Sequence, residues 1–268
     1  MYKILFILLL FLTNPLFIFA KTSITVTHPI EKYFIEKIAS KNIYVKVVFD
    51  RTRKFNFKNK DLVESLASNQ YYFKLNLEDE KLIEEKFKSI NKDLKVIDIS
   101  KNIEKLRTKT NKENPYIWFD PILVREIAKN IYEELARIRY YDRHVLKENY
   151  EKFLNEIDEV YLHIKRRLDN SEVYGFFVFN NQLDYFAKRF RLNIYHKENR
   201  YLNISEVPNI INLSEKEHIK HIVIEKNSLY AIGQSISGHI NGKIVEVDIY
   251  SKNWKSNLYV FTRQISNF

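Results

Sequence analysis

The side chains able to do chemistry in this chain are seven histidines, a large set of carboxylates and a dense tyrosine content, with no cysteine at all. Lacking cysteine, the chain has no thiolate nucleophile, cysteine zinc site, iron–sulfur cluster or disulfide. A lipid anchor on an N-terminal cysteine is excluded as well. The four glycines, Gly175, Gly233, Gly238 and Gly242, cannot spell a phosphate-cradling loop. No histidine pair has the i, i+4 spacing of a helical metal site, and no G-x-S-x-G elbow precedes a base. His144, His163 and His196 read as surface residues. His218 and His221 straddle a helix-to-strand junction, and His239 reads as a loop residue near Gly238. His28 stands where a first strand would end, just before Pro29. It reads either as a cleft-lining or capping residue or as a substitute ligand. Paired carboxylates such as Glu84-Glu85 and Glu133-Glu134 lie in helical runs and read as solvated faces. No acid, base and nucleophile set emerges, so the chain is not read as an enzyme.

The elements that would position these residues alternate. Strands are expected over Thr22–Thr27, Ile43–Phe49, Tyr71–Leu77, Leu94–Ile99, Val173–Phe179, Leu192–Tyr195, Ile219–Glu225 and Lys243–Ile249. Between them fall helical spacings over Pro29–Ala39, Asp61–Ala67, Glu78–Phe87, Pro121–Ile138 and Asn181–Phe190, a helix beginning over Ser214–Ile219, and one over 227–238. Such alternation implies parallel sheets built from βαβ units. The longest apolar stripe is Leu146, Tyr150, Phe153, Ile157, Val160, Ile164 and Leu168, stepping by threes and fours along one helix from His144 to Leu168. That helix is too long for one crossover and suits a stiff spine between two lobes. The fold class expected is α/β, with two small parallel-sheet lobes joined by one long rigid helix. Its divisions are an N-terminal lobe over 21–143, the connecting helix over 144–169 and a C-terminal lobe over 170–268. Ligands of open α/β sheets sit beyond the carboxyl ends of the strands, so a cleft between the lobes is where a solute would bind.

Residues 1–20, MYKILFILLLFLTNPLFIFA, carry one lysine, an apolar run and a small final residue. They read as a signal peptide cut after Ala20, the alternative being an uncleaved anchor. Export argues against nucleic acid as partner. The formal charge of +10 comes from 44 cations scattered among 34 anions, densest at Arg51-Thr52-Arg53-Lys54 and Lys165-Arg166-Arg167. A lysine-rich solvated surface is the plain reading; an anionic membrane or glycan partner is the sharper one.

Asn114-Pro-Tyr-Ile-Trp-Phe-Asp-Pro121 resembles the D-P-H-x-W-x-D-P segment of the zinc/manganese-type ABC-transporter solute-binding proteins. Phe176–Arg191 resembles the family's strand followed by H-x-x-x-x-Y-F-A-K-x-x-G, and Ile222–Lys226 and Val245–Asp248 resemble its last two strands. The resemblance runs in order through nearly the whole chain after residue 20. It implies a monomeric periplasmic protein of two α/β lobes on a rigid helix, presenting zinc or manganese as cargo to an inner-membrane permease, with no cofactor of its own. It places the metal-ligand positions at Arg53 (Phe55 in a shifted register), Tyr116, Asn180 and Asp248. Only Asp248 keeps a ligand of the family's kind, because guanidinium cannot ligate, phenol ionises near pH 10 and amide oxygen is a weak donor. The expectation is weakened or lost metal binding, with Arg53 paired to Asp248 in place of the cation. The rival reading is an envelope interaction or adhesin-like protein that keeps the scaffold.

Overall fold

The computed structural model describes residues 21–49, 58–196, 203–226 and 230–267. The N-terminal half runs β1 (Thr22–Val26), α1 (Pro29–Ile38), β2 (Ile43–Val47), α2 (Lys60–Ala67), β3 (Tyr71–Lys74), α3 (Glu78–Ile90) and β4 (Lys95–Asp98). A loop with a short 3-10 turn at Ile117–Phe119 leads into α4 (Pro121–Ile138), and α5 (Arg143–Asp169) follows. The second half holds β5 (Gly175–Val178), α6 (Asp184–Phe190), β6 (Asn193–His196), α7 (Val207–Lys216), β7 (His221–Glu225), α8 (Tyr230–Ile240), β8 (Lys243–Val247) and α9 (Trp254–Ser266).

The strands form two four-stranded sheets, ordered β2-β1-β3-β4 and β6-β5-β7-β8, with every pairing parallel. The order is the same in both halves. In each, the chain leaves the first strand to one side and returns on the other, so a switch point opens at the carboxyl end of β1 and of β5. Buried strands of this kind read as apolar runs: all of β5 and most of β7 are buried.

Local signals set the helix starts. Pro29 occupies the first turn of α1, and Asp120 caps α4 by accepting the Ile122 N–H at 2.9 Å, with Pro121 next. Strand β3 stops at Lys74 because the Leu75 and Leu77 N–H groups turn to the Glu80 carboxylate. Asn76 between them takes φ 61°, a left-handed position that asparagine tolerates. Helix α6 starts at Asp184 rather than Asn181, since the Asn180 side chain accepts the Gln182 N–H at 3.1 Å and holds a turn there.

Two expectations fail. The helix expected to begin at Ser214 ends near it instead: Pro208 sits in the first turn of α7, and Ser214 Oγ donates to Ile219 O at 2.5 Å beyond its end. His239 is helical rather than in a loop, because α8 runs on to Ile240 with Gly238 inside it.

Helix α5 holds 27 residues, roughly 40 Å at about 1.5 Å per residue. Leu146, Phe153, Ile157, Val160, Ile164 and Leu168 of its stripe are buried, and Tyr150 stacks on Tyr132 of α4 with ring centroids 4.8 Å apart. The stripe packs α1 and α4 on one side and α9 on the other. One hydrophobic core therefore runs unbroken from Ile24 in β1, past Phe153 on the spine, to Phe176 in β5 and Ile265 in α9. Among the described residues no helix is long and apolar enough to cross a membrane.

Candidate functional site

The carboxyl ends of the strands bring Thr27 and His28 from β1, Phe49 from β2, Leu75–Leu77 from β3, Asn180 from β5 and Asp248–Tyr250 from β8 toward the junction of the two halves. Tyr116 joins them from the loop before α4. His28 is 1% exposed and stacks flat on Tyr250, ring centroids 4.0 Å apart and planes 9° apart. Phe49 lies 5.1 Å from the same imidazole. Tyr116 stands 6.5 Å from Tyr250 and 5.3 Å from Trp118, which is 5.8 Å from Tyr250. Aromatic rings from both halves thus meet where a solute would enter.

The halves are also stitched by hydrogen bonds. Trp118 Nε1 donates to Ile249 O at 3.0 Å, and Trp254 Nε1 donates to Trp118 O at 2.7 Å. Asn114 Nδ2 donates to Asn181 O at 2.6 Å, and the Tyr185 hydroxyl donates to Asn114 O at 2.8 Å while accepting the Leu106 N–H. Arg189 Nε reaches Asp120 Oδ1 at 2.7 Å. Burial pushes the Tyr185 phenol up to about 12, so it stays a donor at neutral pH. The two most specific pieces of the sequence resemblance, around Trp118–Pro121 and Tyr185–Lys188, are therefore packed against each other.

Below the rim lies a group of acids that sequence reading missed. Glu31 and Glu80 occupy the third position of α1 and α3, the helices that follow the neighbouring strands β1 and β3. Both are fully buried. Glu31 Oε2 accepts the Thr27 and His28 N–H groups at 2.8 and 2.7 Å, and Glu80 takes those of Leu75 and Leu77. The two carboxyl groups are near enough to influence each other, and among the described residues Glu31 Oε1 has no hydrogen-bond partner. Burial first, then the Glu80 charge, raises Glu31 well above the carboxylate range. Burial raises Glu80 as well, and the backbone N–H groups of Leu77 and Leu75 act against that rise. Tyr72 is near enough for the acids to raise its phenol further, and its hydroxyl pairs with Thr27 Oγ1 at 2.6 Å. His28 Nε2 lies 3.0 Å from Asp79 Oδ2 without hydrogen-bond alignment. The available signal was a glutamate at the third helical position after each of two adjacent strands.

Of the positions given by the resemblance, the structure places three. Asn180 is exposed and closes its own turn through Gln182. Tyr116 is half-buried, with its backbone N–H on Asn114 Oδ1 at 3.1 Å. Asp248 is half-buried, its Oδ1 accepting the Tyr250 N–H at 3.3 Å and its carbonyl the Asn257 side chain at 2.8 Å. Tyr116 and Asn180 come to one region through the Asn114–Asn181 bond, and Tyr116 and Asp248 through Tyr250. Arg53 and Phe55 lie outside the described residues, and with them the proposed pairing to Asp248. Among the described residues, no three histidine or carboxylate side chains are arranged to hold a metal ion. A phenol, an amide and one carboxylate are a poor donor set for a divalent cation.

Residues 24–260 match the family described as ZnuA, zinc-uptake complex component A, periplasmic. The chain belongs to that family. Members are binding components rather than catalysts. A crystal structure of ZnuA superposes with a TM-score of 0.82 at 25% identity, covering 92% of this chain and 98% of that one. A cadmium-bound periplasmic metal-binding protein from Candidatus Liberibacter asiaticus gives 0.77 at 15% identity, over 91% and 100%. A mutant of the laminin-binding adhesin Lmb from Streptococcus agalactiae gives 0.75 at 17% identity, over 91% and 99%. At those lower identities the likeness is one of fold alone. No curated protein sequence matches the chain.

Proposed function

We propose that this ZnuA-family protein is an exported binding component of a metal-type ABC transporter in which ordinary zinc or manganese binding is weakened or lost. What supports the reading is the His28–Tyr250 stack, with ring centroids 4.0 Å apart, together with the residue types Tyr116, Asn180 and Asp248 at the positions the resemblance gives for metal ligands. On this reading residues 1–20 are removed on export to the periplasm. The mature monomer divides into lobes over 21–143 and 170–268 on a spine over 144–169. Its partner is an inner-membrane permease. Arg53 supplies the positive charge that a cation supplies in relatives, pairing with Asp248. His28 is the substitute cleft residue, held by its stack rather than by a ligand.

Calorimetric titration of zinc and manganese into chelator-stripped protein tests this. The expected result is weak binding or none, with any residual binding abolished by Asp248→Ala. Tight one-to-one binding of either metal would refute it. Native mass spectrometry of protein taken from its own envelope would identify whatever solute it carries.

A further inference from the structure

The basic run Lys165-Arg166-Arg167 closes the spine helix α5, far along the chain from the cleft residues. Arg166 Nε donates to Leu162 O at 3.2 Å. Arg167 Nε donates to Ser266 Oγ and its Nη2 to Asn267 Oδ1, both at 2.7 Å. All three acceptors are neutral. Among the described residues neither guanidinium has a carboxylate at ion-pair distance, whereas Lys165 is paired with Asp169 and Arg125, Arg137, Arg139 and Arg189 each hold an acid. Cations favour helix C-termini, and that accounts for arginines at the ends of α5 and α9. It leaves the Arg166 Nη groups and the charge of both residues available to a further acceptor.

The two arginines line a hollow of about 470 Å³ with His163 and with amide and hydroxyl side chains, and among the described residues no carboxylate stands on its wall. A second hollow of about 290 Å³ shares Ser266 with the first and carries Tyr174, His218 and Lys220, with Glu172 as its one acid. The Tyr174 ring is 55% exposed and lies 5.9 Å from the His218 ring. Planar guanidinium forks match sulfate, phosphate and carboxylate oxygens in pairs. An exposed tyrosine offers an apolar face with a polar tip. Volumes of this size suit one or two sugar rings.

We propose that this pair of hollows is a binding site for an acidic oligosaccharide of the sulfated or phosphorylated class, with Arg166 and Arg167 taking the acid group and Tyr174 the ring. The site is separate from the cleft and does not depend on the transport reading.

Fluorescence anisotropy of a labelled heparin hexasaccharide, titrated with the protein at low and at physiological salt, tests it. Saturable binding is expected, weakened about tenfold by Arg166→Glu and by Tyr174→Ser, the scale of one lost charge-assisted contact. Lys147→Glu, an equal charge change at the other end of α5, should leave affinity within about twofold. Thermal melting checks that each variant folds, and if Arg166→Glu does not, the exposed Tyr174→Ser decides alone. Absence of saturable binding, or equal weakening by Lys147→Glu, would overturn the proposal. So would retention by phosphatidylglycerol vesicles with no affinity for the hexasaccharide.

Discussion

Replacing Glu31 by glutamine removes one ionisation and little else. The glutamine is neutral like the protonated acid, and its oxygen can still accept the Thr27 and His28 N–H groups. In the native protein Glu31 keeps its proton well above the carboxylate range, whereas in the unfolded chain it ionises near pH 4.3. A group raised in the fold contributes stability that is complete below its unfolded pKa and is lost as pH rises toward its folded value. Wherever the fold holds one proton more than the unfolded chain, stability falls by about 1.4 kcal/mol per pH unit. As pH rises above that unfolded value the parent should lose stability from this group, and Glu31→Gln should lose none of it. Urea unfolding of both proteins from pH 5 to pH 7 gives the difference, because titrating groups remote from Glu31 and its neighbours Glu80 and Tyr72 cancel between them. Near pH 5 the two should agree within about 1 kcal/mol, and at pH 7 the variant should be the more stable. Parallel stability curves, or a variant weaker at every pH, would refute a Glu31 that burial holds protonated in the fold.

Other expectations follow from single contacts. Arg191 ends α6 at φ 57°, ψ 38°, so Arg191→Gly should raise the urea midpoint by the equivalent of about 1 kcal/mol. Phe153 on the spine is buried against Phe34 and Tyr33, and Phe153→Ala should cost about 3–5 kcal/mol in the same assay, with a normal fold by circular dichroism. Burial, then the charges of Lys243 and Lys220, lowers the His221 imidazole to about 4. Its proton resonance should therefore hold its neutral position down through pH 5 and move only near pH 4. Stability from this group is present above about pH 6.5 and is lost as pH falls toward 4. A resonance that titrates with those of exposed histidines would contradict the burial.

Much of the architecture was legible because long elements repeat their signal. The seven apolar positions of α5 set its extent to within a residue at each end, and Pro121 with the Ile122–Leu135 face set α4. Alternation of strands and helices gave the parallel sheets. Short elements were read less well. Pro208 opens α7 inside a polar stretch whose apolar positions, Ile210 and Leu213, are too few to show a face. Strand ends were overrun at Leu75–Leu77, where glutamate capping rather than side-chain type stops the ladder. The carboxylate runs expected to be solvated are partly engaged: Glu84 bridges Lys74 and Lys88, and Glu134 bridges Lys101 and Arg137. The residue types at Tyr116, Asn180 and Asp248 were legible in the sequence. The ring stack that fills the rim was not, because nothing local connects His28 to Tyr250, more than two hundred residues away.

The unbroken apolar interior has a consequence for how the molecule comes apart. A protein with two insulated cores can melt in two steps, or be cut at its joint into pieces that each survive. Here the spine gives its inner stripe to α1 and α4 of one half and to α9 of the other, so either piece made alone would present a long greasy flank to water. Each would stay insoluble or unfolded until it met its counterpart, and mixing the two should rebuild the whole. The same continuity makes the joint a poor hinge: swinging the halves apart would uncover the seam of packed side chains on α5.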